Sequence, residues 1–229
     1  MNTGPGIAGP LELFATWVHE ASHAVVGLLC GGSITRIDLS TDGSGVTGVR
    51  TGFPPSDFTQ VAVGSAGYVG TVIIGALLLA AGRWVTASRA VLSVIGGFMV
   101  LSALLWMPSA FSFGLSVGLG VLFVVLVFLV PPRWIRFLVS GLGALTIVEG
   151  LLRIADVGDR TPDAVQTSHF VDLGVGTVRV LWLLVAAAAA VGAIVVRTKP
   201  FRDAANKHAD AISSPGQSGE QDVSGDAPT

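Results

Sequence analysis

Charged side chains are scarce in this sequence. Asp, Glu, Lys and Arg make up 12% of its 229 residues, where a soluble domain carries about 25%. Hydrophobic residues reach 51%, and the mean hydropathy is +0.73. The formal net charge of −2 gives no reason to expect nucleic acid as a partner. The composition therefore predicts a multi-pass integral membrane protein rather than a soluble domain.

Cysteine is scarcer still. Cys30 is the single cysteine, which excludes an intrachain disulfide and any zinc site built from several cysteines. Residues 1–10 contain no Lys or Arg, so they lack the basic start of a signal peptide. We therefore expect the first apolar helix to be retained in the protein.

Long apolar runs are the main feature of the sequence. They predict an all-α polytopic membrane protein with about six transmembrane helices and a short β-hairpin after the first helix. The lipid bilayer is then the surrounding medium. The predicted membrane segments are 11–30, 58–81, 90–107, 111–130, 134–154 and 175–196.

The hairpin and the chain ends follow from local composition. Gly31-Gly32 is a helix stop, and residues 33–51 contain two short alternating runs around an Asp-Gly turn, which predicts a β-hairpin. Residues 1–10 are rich in Gly and Pro and are expected to be irregular. A polar stretch at 198–229 predicts a disordered tail, so the membrane-embedded domain is expected to span 11–197.

The first apolar run contains the pattern His19-Glu20-Ala21-Ser22-His23. On a helix, residues four apart lie about 40° from each other, so His19 and His23 share one face and can bind one zinc ion. Glu20 points to the side of that pair, which suits a general base for a water molecule activated by the metal. Charged groups within a membrane helix are costly, so this pattern predicts a zinc site of a hydrolase.

Two histidines leave zinc short of its usual three protein ligands. Cys30 and Glu12 lie too far along the helix axis to complete the site. Other candidates concentrate in the polar segment 156–172. Asp163 follows Pro162 and is placed to begin a helix from Ala164 onward. His169 and Asp172 are alternative ligands from the same segment.

These features together resemble a known family, the site-2 protease-like intramembrane zinc metallopeptidases, in particular their small bacterial branch. The resemblance rests on the histidine pattern in the first helix and the Gly31-Gly32 hairpin after it. It also rests on Ala66-Gly67-Tyr68-Val69-Gly70 in the second helix and on Pro162-Asp163-Ala164 near the end. The family's distal aspartate usually stands in a Leu-Asp-Gly context, whereas here Asp172 stands in Val-Asp-Leu-Gly.

The resemblance implies one zinc ion per chain, held by His19, His23 and a distal aspartate, with Glu20 as the catalytic residue. Asp163 is favoured as the third ligand, ahead of Asp172 and His169. The implied reaction is hydrolysis of a peptide bond in or near a transmembrane segment of a membrane protein substrate, in a bacterial cell membrane. An alternative hypothesis is a non-enzymatic membrane protein that binds a metal or a partner through the same residues.

Overall fold

A computed structural model describes residues 9–51 and 56–213. Seven helices and one two-stranded antiparallel sheet make up this part of the chain. In chain order they are α1 (Gly9–Leu29), β1 (Ser33–Leu39), β2 (Gly45–Arg50), α2 (Asp57–Ala81), α3 (Val85–Trp106), α4 (Ala110–Leu129), α5 (Pro132–Ala155), α6 (Pro162–Val171) and α7 (Val175–Ser213).

The predicted fold class is confirmed. Each of the six predicted segments is a helix, and the hairpin follows the first of them. In the described part, five helices are long and apolar enough to cross a membrane, and α1 is not one of them. The polar groups of Glu12, His19, Glu20 and His23 lower the hydropathy of α1, and the surrounding elements bury most of its length.

The first helix ends as its glycines predict. Gly31 has a φ of +78°, a left-handed conformation that glycine adopts without steric cost. The amide of Gly32 donates to the carbonyl of Gly27 at 2.9 Å, and the amide of Gly31 donates to that of Leu28 at 3.0 Å. This pair of bonds satisfies the last carbonyls of the helix, so the chain can leave α1 and enter β1.

The hairpin packs against the helices. Its residues Ile37 and Leu39 are buried. A bulge between Ile34 and Arg36 shifts the register of the two strands. Between Ile37 and Leu39, the carboxylate of Asp38 accepts hydrogen bonds from Ser109 at 2.7 Å and Ser112 at 2.6 Å. These two hydroxyls hold the pKa of Asp38 below its usual value. The hairpin is thereby fixed between α1 and the start of α4.

Helices α2 and α5 cross at two glycines. A Cβ atom on Gly75 would lie 2.9 Å from the carbonyl oxygen of Gly143, and one on Gly143 would lie 2.7 Å from that of Gly75. Backbone atoms cannot retreat as a flexible side chain does, so both positions need glycine for this close approach. The crossing places the end of α5 beside α1, where the candidate site lies.

We expect Gly143→Ala to destabilise the fold by about 1–3 kcal/mol, because the added methyl group forces the two helices apart. The matched control is Gly141→Ala, since a Cβ atom there meets nothing within 4 Å. Alanine is the better helix former, so the control should be neutral or slightly stabilising. Thermal unfolding of both variants in detergent measures the difference, and equal midpoints would contradict the close crossing.

The end of the chain differs from the prediction. Helix α7 continues to Ser213, whereas the sequence predicts disorder from 198 onward. Alanine recurs between 204 and 211 and Lys207 lies among these alanines, and both residue types are strong helix formers. The remainder of the predicted tail, 214–229, and most of the predicted irregular N-terminus, 1–8, lie outside the described residues.

Candidate metal centre

Three side chains from two distant helices meet in the structure. His19 and His23 on α1 are each 7% exposed, with their Nε2 atoms 3.2 Å apart. The Oδ2 atom of Asp163, in the first turn of α6, lies 3.4 Å from Nε2 of His23 and 3.9 Å from Nε2 of His19. One ligand atom from each residue falls within 4.8 Å of the others.

Local sequence explains how Asp163 reaches α1. Pro162 occupies the first turn of α6, where its missing N–H costs nothing and its fixed φ favours the helix. The short helix then packs on α2 at Gly64, where a Cβ atom would lie 2.5 Å from Oγ1 of Thr167. A larger residue at 64 would push α6, and the carboxylate with it, away from the histidines.

The imidazole of His23 is held by a neighbouring backbone group. Its Nδ1 atom donates to the carbonyl of Val63 at 2.7 Å. This bond places a proton on Nδ1, so that Nε2, which faces Asp163, is the nitrogen available to a metal. In histidine ligands of metals the second nitrogen is usually bonded in this way.

His19 is oriented by aromatic packing instead. Its ring meets Tyr68 edge to face with centroids 4.7 Å apart, and Tyr68 stacks on Trp182 of α7 at 4.7 Å. Nδ1 of His19 is buried and has no hydrogen-bond partner among the described residues. Packing by α2 and α7 therefore fixes the direction of the His19 ring.

Gly67 faces both imidazoles. A Cβ atom at this position would overlap Nε2 of His19 and Nε2 of His23. The glycine thus leaves free the space between α2 and the two nitrogen atoms. Its neighbour Gly70 lets α2 approach Ser22 on the same face of α1.

Asp163 carries a charge suited to a metal ligand. Burial alone would raise the pKa of its carboxyl group, but the adjacent imidazoles of His19 and His23 outweigh that effect and hold the pKa below its usual range. The group is therefore an ionised carboxylate at neutral pH, the form that binds metal.

The two alternative ligands, and the two residues that the sequence excludes as ligands, lie elsewhere. His169 is in the last turn of α6 and is exposed. Asp172 is exposed at the end of that helix, with a φ of 52°. Cys30 follows the end of α1, and Glu12 lies against the hairpin turn at Gly43.

Glu20 lies beside the histidine pair and is 5% exposed. The hydroxyl of Thr47, on β2, lies 2.6 Å from its Oε2 atom and 3.0 Å from its main-chain carbonyl. The backbone of β2 passes so close that a Cβ atom on Gly45 would lie 2.7 Å from Oε1 of Glu20. The hairpin therefore fixes the position of this carboxylate.

These groups border one polar cavity of about 540 Å³. Tyr68 and Arg153 also line it, and neither is among the site residues predicted from the sequence. The Nη2 atom of Arg153 donates to Oγ1 of Thr16 at 2.7 Å, while its Nε lies 4.0 Å from Oε2 of Glu149. An arginine flanking an apolar run is a general membrane-interface signal, so the sequence alone could not assign Arg153 to the cavity.

The donor set fits zinc. Ligands at 2.0–2.1 Å in a tetrahedron lie about 3.3 Å from one another, close to the 3.2 Å and 3.4 Å separations that involve His23. Two imidazoles and a carboxylate are also a known ligand class for catalytic zinc, which keeps a fourth position open. The space beside Gly67 and the fixed Nε2 of His23 support the same assignment.

Comparisons with known proteins identify the family. No curated protein and no solved structure matches the chain. A family model described as Peptidase M50B-like matches residues 2–196. This range includes the hairpin and every helix that lines the cavity. The match covers most of the chain and agrees with the five apolar helices. The chain therefore belongs to the Peptidase M50B-like family of membrane proteases.

Proposed function

We propose that the protein is an intramembrane zinc metalloprotease that hydrolyses peptide bonds in or near transmembrane segments of membrane proteins. The observation that carries the proposal is the meeting of His19, His23 and Asp163 at the wall of a polar cavity. These three residues would hold one zinc ion. The family match supports the protease activity.

Each residue then has a definite task. Zinc held there would act as a Lewis acid and make water a nucleophile near neutral pH. Glu20 takes a proton from the attacking water and returns it to the leaving amine. Thr47 positions the Glu20 carboxylate through the 2.6 Å contact. Val63 keeps His23 in the tautomer that binds metal.

Hydrolysis beside a bilayer requires water, and the cavity supplies room for it. Its volume of about 540 Å³ is many times the roughly 30 Å³ that one water molecule occupies in the liquid. Its walls include carboxylates, an arginine, a phenol and amide side chains. The cavity can therefore hold both water and a stretch of peptide next to the metal ligands.

The test is the Glu20→Gln variant. We expect zinc binding to remain and cleavage to fall about 10²- to 10⁴-fold, because the amide cannot accept the proton. Membrane proteins that accumulate uncut in cells carrying this variant, but not in cells carrying the wild type, identify the substrates.

The control is Glu12→Gln, which changes a carboxylate on the same helix that lies against Gly43. It should cleave at the wild-type rate. If Glu20→Gln binds zinc and cleaves like the wild type, Glu20 is not the catalytic base. If cells carrying Glu20→Gln and cells carrying the wild type have identical membrane proteomes, the non-enzymatic alternative is favoured.

A further inference from the structure

Charge is segregated between the two ends of the helix bundle. The chain between Phe58 and Val148 contains no Asp or Glu, and its four cationic residues are Arg83, Arg89, Arg133 and Arg136. Arg197 joins them near the end of the apolar part of α7. Along α2, fifteen residues separate Gly67 at the metal centre from Gly82 at this end, which corresponds to about 22 Å.

Three of these arginines connect three helix ends. Arg83, just after α2, donates to the carbonyl of Val196 on α7. Arg197 on α7 donates to Oγ of Ser140 on α5 at 2.8 Å and to the carbonyl of Leu79 on α2 at 3.3 Å. Arg136 on α5 donates through Nε to the carbonyl of Gly82 at 3.2 Å. The three guanidinium groups therefore cluster where α2, α5 and α7 meet.

The described residues use only a small part of the hydrogen-bonding capacity of these arginines. A guanidinium group has five N–H donors, and each of these side chains uses one or two of them on neutral acceptors. Among the side chains described in 9–51 and 56–198, no carboxylate lies within ion-pair distance of Arg83, Arg136 or Arg197. Arg136 is exposed and the other two are partly exposed. The cluster is a fixed group of positive charges without a protein counter-ion in that part of the chain.

The surroundings match a membrane interface. Arg83 lies 4.5 Å above the ring of Trp84, and Arg133 lies 5.7 Å from that of Trp134. Both tryptophans are more than half exposed, and Phe137, which meets Trp134 edge to face, is 71% exposed. Tryptophan concentrates at the headgroup level of bilayers, where apolar side chains below it contact acyl chains.

We propose that Arg83, Arg136 and Arg197 form a binding site for the phosphate headgroup of an anionic phospholipid. A phosphate offers several oxygen acceptors that match the fork of a guanidinium group. Basic pockets between helix ends are suited to such headgroups. A lipid is favoured over a soluble anion because the exposed Phe137, Trp84 and Trp134 offer apolar surface for acyl chains beside the cationic groups.

The experiment measures thermal unfolding of the full-length protein in nanodiscs of phosphatidylcholine, with and without phosphatidylglycerol. We expect the anionic lipid to raise the midpoint of the wild type by about 5 °C. The variant with Arg83, Arg136 and Arg197 all changed to Gln should lose most of that rise. Each protein is compared with its own midpoint in phosphatidylcholine, so a lower basal stability does not affect the result.

The matched control changes Arg36, Arg50 and Arg160 to Gln, which removes three exposed arginines from the hairpin and the loop before α6. It should retain the full rise. If the triple variant does not fold, Arg136→Gln alone, which loses one bond to a carbonyl, should reduce the rise. An equal rise in the cluster variants and the wild type would overturn the proposal. So would an equal rise on adding inorganic phosphate without phosphatidylglycerol, because that indicates a site for soluble anions.

Discussion

Gly67→Ala is expected to abolish zinc binding and proteolysis together, although it adds only one methyl group. The new Cβ atom would clash with Nε2 of both His19 and His23. The rings cannot rotate away without losing their present contacts. His23 is hydrogen-bonded to Val63, one turn earlier on α2, and His19 is packed against Tyr68. Bound zinc should fall from about one ion per chain to a small fraction of that.

Elemental analysis of the purified protein measures this effect, and thermal unfolding in detergent separates it from a loss of fold. The control is Gly97→Ala on α3, where a Cβ atom meets nothing within 4 Å. Alanine is also the better helix former, so this control should bind as much zinc as the wild type and unfold at the same temperature or higher. A Gly67→Ala protein with a full complement of zinc would show that the imidazoles do not bind metal in this arrangement.

Asp163→Ala is expected to have an effect of similar size. An oxygen of this carboxylate lies 3.4 Å and 3.9 Å from the Nε2 atoms of His23 and His19, where it would be the third ligand of a metal. Its removal leaves two ligands, fewer than zinc uses in catalytic sites. Zinc content should therefore fall as far as in His23→Ala, and cleavage should become undetectable.

Two other variants make the Asp163 test specific. His169→Ala and Asp172→Ala change the alternative ligands of the same segment, both of which are exposed. We expect each to keep its zinc and its activity. Loss of zinc in Asp172→Ala with retention in Asp163→Ala would mean that the segment binds the metal in a different register from the one in the structure.

The sequence predicts the membrane helices well because length and hydropathy are local properties. The six predicted segments agree with the helices to within a few residues, apart from the later start predicted for α3 and the early end predicted for α7. What hydropathy does not reveal is the environment of each helix. The 11–30 segment has membrane length, yet α1 is enclosed by other elements and is not among the five helices apolar enough to cross a membrane.

The candidate metal centre was predictable only where its residues are close in sequence. His19, Glu20 and His23 share one helix, so their spacing fixes their geometry. Asp163 depends on how α6 docks on α2, and local patterns could not separate it from Asp172 or His169. The same limit applies to Thr47, which meets Glu20 only because the hairpin folds back over α1.

The distance in sequence between the two histidines and Asp163 has a consequence for the topology of the chain. His23 and Asp163 are about 140 residues apart, so an ion bound by both closes a very long loop. Cross-links across long loops restrict the unfolded chain more than those across short ones. With its single cysteine the chain cannot form such a link by a disulfide. The zinc ion would then join the first helix to the last third of the protein, so that its removal loosens α6 as well as stopping the reaction.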